Sequence, residues 1–300
     1  MQVTRRGAVG LAAALLAALP LLLCGAGGVV TLLVSADTEG QTAACQVCPV
    51  DAAPGGMARR ATLINERRRK DPALVLLDAG NALFGGDSMA GGGDAIVAAY
   101  NLLGYDAVNL SYRDFRLGKA QTLRTLRDAR FAVVSCNLVD DSTGQLVARP
   151  YIVKQAGIER VAIVGVTVPP AAQDMLPHLG QQLAGIRVED PLQALAAWLP
   201  KAKRESARVI LLFYGPAASL DTVRRRFGGD LAAILVGGIP PDALPGASRP
   251  AVVTTMEHGK RLALVRLLAD GGTDVRQIDV APSLEPDPRM EELLRRHVSP

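Results

Sequence analysis

The sequence predicts an α/β domain with a largely parallel central sheet, and three features indicate this class. Short runs of β-branched and aliphatic residues alternate along the chain with longer helix-like stretches. Most of the short runs are continuously apolar, as in strands that are covered on both faces. The chain has 300 residues, which is long enough to bury a large core. Such alternation is typical of α/β folds.

Nine runs have the length and composition of strands. They lie at residues 29–36, 74–77, 107–110, 131–135, 161–166, 209–213, 232–236, 251–255 and 262–268. Five helices are predicted between them, at residues 57–69, 94–103, 119–129, 191–202 and 220–227. In the first of these helices Met57, Ala61 and Ile64 share one face, so we expect that face to be buried.

No linker and no internal repeat divides residues 29–281, so we predict one domain there. Residues 282–300 form a Pro-rich tail with a short predicted helix at 289–296. The Gly-rich stretch at 85–93 lacks the Gly-Lys-Ser/Thr ending of a phosphate-binding P-loop, and we predict an ordinary loop.

The N-terminus has the pattern of an export signal. Arg5 and Arg6 precede a stretch without charged residues that continues to Ala36. We therefore expect residues 1–26 to be a signal peptide or an N-terminal anchor, and the protein to reach the periplasm or the outer face of the cytoplasmic membrane. Lipidation at Cys24 is the alternative, although Leu23 stands where a lipoprotein signal has a small residue.

The charge balance argues against a nucleic-acid partner. The formal net charge is +4, and removing Arg5 and Arg6 with the signal lowers it to +2. No basic stripe interleaved with aromatic residues is present, as nucleic-acid binding would require. We expect contact with a membrane only through the N-terminal segment.

Polar residues follow many of the predicted strands. In open α/β sheets ligands bind beyond the carboxyl ends of the strands, so these positions define a candidate cleft. They are Asp37, Glu39, Asp78, Asn81, Tyr112, Arg113, Asp114, Cys136, Asn137, Tyr214 and residues 237–241. Turns favour Asp, Asn and Gly in any case, so an ordinary set of strand-end turns remains the alternative.

An ordered set of motifs gives this pattern a family resemblance. The motifs are GGMARRAT at 55–62, LLDAG at 76–80, NLLGYDAV at 101–108, SCNL at 135–138, PY at 150–151 and VGVTVP at 164–169. Over about residues 30–280 the chain resembles the metallophosphoesterase domain of bacterial 5'-nucleotidases and of the sulfur-oxidation protein SoxB. The pair Cys45 and Cys48, just before Gly55, is similar to the UshA-like (seleno)protein subgroup.

The resemblance implies a four-layer α/β/β/α sandwich of the calcineurin-like type. It also implies chemistry by two divalent metals that hold a phosphate and activate a water. The sequence printed here ends where the family's C-terminal nucleotide-recognising domain would begin, so we expect that domain to be absent.

Position by position, the family's metal ligands are largely replaced. The Asp-x-His after the first strand is Asp37 with Glu39, and the bridging Asp is Asn81. The family's Asn-His-Glu is replaced by Tyr112, Arg113 and Asp114, and its later His by Tyr214. Ile239 and Pro241 stand in place of the two histidines of Gly-His-x-His.

Only Asp37 survives from the family's ligand set, and Arg113 opposes metal binding directly. A permanent positive charge about 4 Å from a divalent cation costs about 8 kcal/mol at an effective dielectric constant near 20. We therefore predict a degenerate metal site and no cofactor. The alternative is a residual phosphohydrolase with a single Mg²⁺, Mn²⁺ or Zn²⁺ ion on Asp37, Glu39, Asn81 and Asp114.

The leading functional hypothesis is a binding or scaffold protein that has lost hydrolysis. Arg113, together with Arg59, would then hold a small anion such as phosphate or sulfate, since the guanidinium fork suits these ligands. An envelope protein is the other expected kind of partner. A simple salt bridge from Arg113 to Asp37 or Asp114 is the alternative.

A thiol site is the remaining hypothesis. Cys45 and Cys48 have the spacing of a disulfide, a redox pair or half of a metal site, and Cys136 would add a third thiolate. A structural disulfide and a buried lone cysteine explain the same residues. The three histidines, His178, His258 and His297, fall at none of the family's ligand positions, and we predict that they lie on the surface.

Overall fold

The apolar runs form two β-sheets that pack face to face in the computed structural model, which describes residues 28–44, 53–85, 92–170, 177–244, 246, 248–255 and 257–297. The predicted signal or anchor at residues 1–26 lies outside these ranges. The helices among the described residues include none that is long and apolar enough to cross a membrane.

The first sheet has six strands, and four of them are parallel. In spatial order they are β13 (Thr273–Asp279), β12 (Arg261–Leu267), β1 (Val30–Ser35), β2 (Val75–Asp78), β3 (Ala107–Asn109) and β4 (Ala132–Val134). Strands β1 to β4 run parallel, and β12 and β13 pair antiparallel at one side.

The second sheet has five strands. In spatial order they are β11 (Ala251–Thr254), β10 (Ala233–Gly237), β9 (Arg208–Tyr214), β7 (Glu159–Thr167) and β6 (Tyr151–Ala156). All except β6 are parallel. A separate antiparallel pair is formed by β5 (Leu138–Asp140) and β8 (Ile186–Val188).

The helices cover the outer faces of both sheets. The first sheet is covered by α1 (Met57–Lys70), α2 (Gly92–Leu103), α3 (Gly118–Thr125) and α7 (Pro288–His297). The second sheet is covered by α5 (Pro191–Glu205) and α6 (Ala217–Phe227). The short helix α4 (Pro177–Gln182) lies near α3. Met57, Ala61 and Ile64 of α1 are buried, as predicted. The order of layers is α/β/β/α, which confirms the sandwich and replaces the single central sheet that alternation alone predicted.

The continuously apolar strands explain why there are two sheets. In β1, Leu32 and Val34 belong to the core between the sheets, whereas Leu33 belongs to the core beneath the helices. A strand that is apolar on both faces can be covered by helices on both sides, or by helices on one side and a second sheet on the other. The apolar pattern therefore predicts that both faces are buried, but it does not predict the number of sheets.

The tail is part of the same core. Met290 of α7 is fully buried, and Leu284, Leu293 and Leu294 pack against the cluster beneath α1 and α2. Among the strands that the sequence pattern missed, β6 and β13 are half-exposed edge strands with several polar residues, so they lack the apolar run on which the prediction rested.

The two sheets are in close contact at Gly165 of β7. A Cβ atom there would lie 2.6 Å from Asn109 Oδ1 and 2.6 Å from the carbonyl oxygen of Val134, both on the other sheet. Asn109 Nδ2 donates across this gap to the carbonyl of Val166 at 3.1 Å. Only glycine fits between the sheets at this point.

We predict that Gly165→Ala lowers the free energy of unfolding by about 1–3 kcal/mol, because the added methyl group overpacks the inter-sheet contact. Urea denaturation of the purified protein measures this loss. Gly229→Ala is the matched control, since a Cβ at Gly229 meets no atom within 4 Å. Equal losses in the two variants would contradict the close approach.

Candidate functional site

The candidate site lies where the carboxyl ends of β1, β2, β3, β9 and β10 converge. Backbone hydrogen bonds join the first two of the loops there: Asp37 N donates to the carbonyl of Gly80, and Glu39 N donates to that of Asn81. The structure therefore brings together the strand-end residues that the sequence pattern selected, although several of them have roles other than those predicted.

Asp37 is held from two sides by N–H donors of the protein. Its Oδ1 accepts from Asn81 Nδ2 at 2.9 Å, and its Oδ2 accepts from the backbone N–H of Gly238 at 2.8 Å. Burial raises the pKa of Asp37, and these hydrogen bonds, with a weaker one from Tyr214, oppose that increase. Both carboxylate oxygens are thus engaged within the protein.

Glu39 shares the amide of Asn81 with Asp37. Asn81 Nδ2 donates to Glu39 Oε1 at 2.8 Å, while Glu39 Oε2 lies 3.5 Å from His258 Nε2. The NH₂ group of one asparagine therefore stands between two carboxylates. Asn81 Oδ1 is buried and has no hydrogen-bond partner.

His258 lies beside Glu39 in this site, a contact that the prediction of a surface position did not include. Its backbone N–H donates to the carbonyl of Asp37 at 2.7 Å, and its side chain remains 37% exposed beside Glu39. The family's ligand pattern did not select it. Its position just after β11, at the same sheet edge as the other residues, is the signal that could have found it.

Backbone strain is concentrated at these residues. Among the described residues, the non-glycine positions with positive φ are Asp37 (48°), Glu39 (51°), Asn81 (58°) and His258 (55°). A left-handed backbone is unfavourable for side chains with a Cβ, and it persists where surrounding contacts enforce it. The four strained residues form one network. Asn81 donates to Asp37 and Glu39, and His258 contacts the Asp37 carbonyl and the Glu39 carboxylate.

Asp114 is a structural cap. Its Oδ1 accepts from the backbone N–H groups of Ala82 and Leu83, and its Oδ2 accepts from Ser111 Oγ and from the backbone N–H groups of Ser111 and Asn81. Burial raises the pKa of Asp114, and these donors counteract it. With its oxygens committed to the loop after β2, Asp114 does not join Asp37 as a ligand of the predicted single metal.

Two aromatic side chains lie close to Asp37, whereas Ile239 is buried in the core of the second sheet. The rings of Tyr112 and Tyr214 meet edge to face, with centroids 5.6 Å apart, and Ile239 is 4% exposed. Burial raises the pKa of both tyrosines, so both hydroxyl groups are neutral at ordinary pH. Pro241 begins an exposed turn after β10.

The predicted salt bridge from Arg113 to Asp37 or Asp114 does not form. The ion pairs of 4.0 Å or less between described side chains leave Arg113 out, and its buried Nε has no hydrogen-bond partner. Arg113 is half-buried, and its positive charge lowers the pKa of Tyr112 and Tyr214 against the larger effect of burial.

Arg59 lies elsewhere. Its Nη1 donates to the carbonyl of Ala53 at 3.1 Å, and its side chain lines a separate cavity of about 520 Å³ between the start of α1 and the end of α7. Among the described residues, no hydrogen bond or ion pair links it to Arg113. That the two arginines hold one anion together stays a prediction.

Cys136 is buried in the core of the second sheet, and burial raises the pKa of its thiol to about 12. A thiolate at this position is strongly disfavoured, which removes Cys136 from the predicted thiol site. Cys24, Cys45 and Cys48 lie outside the described residues, so the disulfide, redox and lipidation hypotheses stay predictions.

A buried polar cluster supports the strained loops from below. Asp78 Oδ2 accepts from Ser35 Oγ at 2.6 Å and from the hydroxyl of Tyr100 at 2.8 Å, and its Oδ1 accepts from the backbone N–H of Gly80 at 2.8 Å. Tyr105 stacks on Tyr100, with ring centroids 3.8 Å apart, and its hydroxyl bonds Ser35 Oγ. The sequence pattern selected Asp78 of this cluster and missed Ser35, Tyr100 and Tyr105.

Arg60 adds a fully buried charge to the cluster. Its Nη1 donates to Thr38 Oγ1 at 3.0 Å, and Thr38 lies between Asp37 and Glu39. A Cβ on Gly259 would fall 1.3 Å from Arg60 Nη2, so the turn after His258 closes directly over the guanidinium. Arg60 therefore determines the position of two loops of the site.

Comparison with known proteins shows that part of the chain is similar to nucleotidases. No family model matches it. The bovine 5'-nucleotidase is 28% identical over 234 residues, which are 72% of this chain and 39% of the relative. A 2',3'-cyclic-nucleotide 2'-phosphodiesterase/3'-nucleotidase of Yersinia enterocolitica is 25% identical over 55% of this chain and 28% of the relative. The chain thus spans about two fifths or less of these relatives.

Solved structures share the fold. The sulfate thiohydrolase SoxB of Thermus thermophilus superposes with a TM-score of 0.76 at 21% identity, covering 90% of this chain and 60% of that one. The calcineurin-like phosphoesterase YfkN of Bacillus subtilis superposes with a TM-score of 0.69 at 18% identity, covering 90% and 96%.

The buried cluster predicts a pH dependence of stability. Burial raises the pKa of Asp78 from 3.8 to about 7, so between these values the folded state binds a proton that the unfolded chain has released. The stabilisation from this group is complete below pH 4 and is lost as the pH rises to 7. We expect chemical denaturation across this pH range to show a smaller decline in Asp78→Asn than in the unmodified protein, with the buried Asp37 and Asp114 contributing the remainder. An unchanged pH profile in Asp78→Asn would contradict this assignment.

Proposed function

We propose that this chain, which is similar to 5'-nucleotidases over 72% of its length and shares the calcineurin-like phosphoesterase fold, is a metal-independent binding or scaffold protein of the cell envelope. The observation that carries this proposal is the Asn81 amide. It donates to Asp37 and Glu39, so the two carboxylates are joined by N–H donors of the protein itself.

The residues present do not fit the two metals on which the family's hydrolysis depends. Asp37 is the family ligand that remains, and its oxygens already accept hydrogen bonds from Asn81 and Gly238. Ile239 has no donor atom, and the tyrosines are neutral. Among the described residues no group of three His, Cys, Asp or Glu side chains is placed to hold a metal ion. Metal-dependent hydrolysis is therefore no part of the proposed function.

A residual hydrolase is the second candidate, and one observation favours it. His258 Nε2 lies 3.5 Å from Glu39, so a nitrogen ligand stands beside an oxygen ligand in the site. Against this, Asp114 is committed to its loop and Asn81 turns its NH₂ group, not its oxygen, toward the carboxylates. The donor set favours hydrogen bonding over coordination.

Arg113 is the group best suited to hold an anionic ligand. It is a half-buried cation without an ion-pair partner among the described residues, and its Nε is an unsatisfied donor. Buried donors in native proteins are satisfied by the protein, by water or by a ligand. The planar fork of a guanidinium suits phosphate and sulfate.

The location in the envelope rests on the N-terminal sequence. Arg5 and Arg6 followed by an uncharged apolar stretch are the pattern of an export signal. We propose that the folded domain acts outside the cytoplasm after this segment has directed it there.

The first test concerns metal and activity. Protein prepared with excess Mn²⁺ or Zn²⁺ should retain well under one metal equivalent per chain, and hydrolysis of nucleotides and aryl phosphates should stay at background. Asp37→Asn should not change that background. Two tightly bound ions per chain would sink the proposal, whereas one ion that is lost in His258→Ala would favour the residual hydrolase.

The second test concerns the anion. Phosphate or sulfate at a hundred times its dissociation constant should stabilise the fold by about 2.7 kcal/mol through mass action, visible as a rise in melting temperature. Arg113→Ala should abolish the rise, and Arg59→Ala, which alters an arginine outside the site, should preserve it. If neither anion raises the melting temperature of the unmodified protein, Arg113 is not an anion site.

A further inference from the structure

A large apolar side chain stands exposed at the end of the sandwich opposite the candidate site. Ile158, in the turn between β6 and β7, is 81% exposed. Gly28 lies against this turn, because a Cβ on Gly28 would lie 2.9 Å from Ile158 Cγ1 and Gly28 N donates to Glu159 Oε1 at 2.5 Å. Val29, the next residue in the sequence, is 46% exposed. Exposure of this degree is unusual for isoleucine.

The topology places the ends of the major helices around this turn. In parallel α/β units each helix runs back against its strands, so the helices end at the edge where the next strand begins. Helices α1, α5 and α6 carry basic residues in their last turns. Residues from several of these segments meet in one cavity of about 500 Å³, lined among others by Lys203, Arg208, Arg249 and Ala269.

The resulting surface, here named the basic end, has a surplus of positive charge. Its exposed basic residues are Arg69, Lys70, Arg160, Lys203, Arg204, Arg225, Arg226 and Arg249. The exposed acidic residues in the same stretches of chain are Glu205, Asp230 and Asp270. Eight basic against three acidic side chains leave a surplus of five, which is larger than the net charge of +4 of the entire chain. The basic end therefore holds the positive character of the protein.

Few of these charges are neutralised by neighbours. Lys203 forms an ion pair with Asp230. The other seven basic residues take no part in the ion pairs between described side chains. A favourable interaction of helix C-termini with basic residues accounts for some of them. It does not account for Arg160 and Arg249, which lie outside helices, nor for the exposed Ile158.

We propose that the basic end docks on a membrane surface rich in anionic phospholipid headgroups, with Ile158 inserted among the headgroups. Basic side chains are attracted to anionic lipid, and an apolar side chain at the contact adds hydrophobic anchoring. Gly28, which follows the uncharged apolar stretch in the sequence, lies at this end. In this orientation the strand-end site faces away from the membrane.

A lipid surface fits these features better than a nucleic acid does. Nucleic-acid surfaces combine basic residues with aromatic rings for stacking, whereas the large exposed side chains here are aliphatic. Docking by the folded domain also goes beyond attachment through the N-terminal segment, because it requires contacts of Ile158 and of basic residues far from Gly28 in the sequence.

Tryptophan fluorescence of the full chain tests the proposal. The chain has one tryptophan, so Trp198→Phe gives a dark background into which single probes are placed. Ile158→Trp and Ala269→Trp report on the basic end, and Ala243→Trp, in the exposed turn after β10, reports on the opposite end. The vesicles contain brominated phosphatidylcholine with or without phosphatidylglycerol. We expect quenching and a blue shift of both basic-end probes when phosphatidylglycerol is present, and neither at position 243.

Charge reversal supplies the matched pair of variants. Lys70→Glu with Arg225→Glu changes the net charge by −4 at the basic end, and Arg295→Glu with Arg296→Glu makes the same change on α7, whose C-terminal turn lies near the start of α1. The first pair should reduce quenching at positions 158 and 269 to the level of neutral vesicles, and the second should leave it intact. The proposal would be overturned if the basic-end probes stayed unquenched on anionic vesicles, or if the probe at position 243 were quenched equally. It would also be overturned if both charge-reversal pairs lost quenching equally, or if the protein bound duplex DNA and not vesicles.

Discussion

The fully buried charge of Arg60 is the constraint on which the strand-end loops depend. Its guanidinium lies under the His258–Gly259 turn and bonds Thr38, so two loops from distant parts of the sequence rest on one side chain. Removing a charge from water is costly unless polar groups surround it. Asp78, Tyr100 and Tyr105 supply those groups, and they in turn bind the last residue of β1 and the turn after β2. The cluster joins β1, β2, α1 and α2, which explains how left-handed residues persist above it.

Hydrogen bonds from within the protein hold the carboxylates of the strand-end site together. Two close carboxylates repel each other unless something positive or hydrogen-donating stands between them. At this site the Asn81 amide does so for Asp37 and Glu39, and the Gly238 N–H completes the shell of Asp37. The strained strand-end loops are thereby held by hydrogen bonds within the protein. Strain of this kind clusters at binding and catalytic sites, which agrees with the anion site proposed at Arg113.

The molecule is polarised along its strands. Parallel topology gathers the loops after the strands at one end and the helix C-termini at the other, so the two ends have different chemistry for a purely geometric reason. One end holds the strained residues, the aromatic pair and Arg113. The other holds the basic residues, Ile158 and the entry of the chain at Gly28. A protein organised in this way can attach by one end and present the other.

The sequence by itself determined which segments are buried and which ligand types are missing. Continuous apolar runs must be covered on both faces, so the nine predicted strands and the main helices were found, and Ile239 lacks donor atoms wherever it lies. Tertiary structure alone decided which strands pair and which side chains meet. A hydrophobic pattern describes positions along the chain, whereas these contacts join residues that are far apart in the sequence. The tertiary structure arranged the strands in two sheets and placed His258 beside Glu39. It also placed the Asp114 carboxylate against the loop after β2, and Arg59 at a separate cavity beside α7. Each of these outcomes depends on which loops meet at a sheet edge, and no local pattern of residues encodes that meeting.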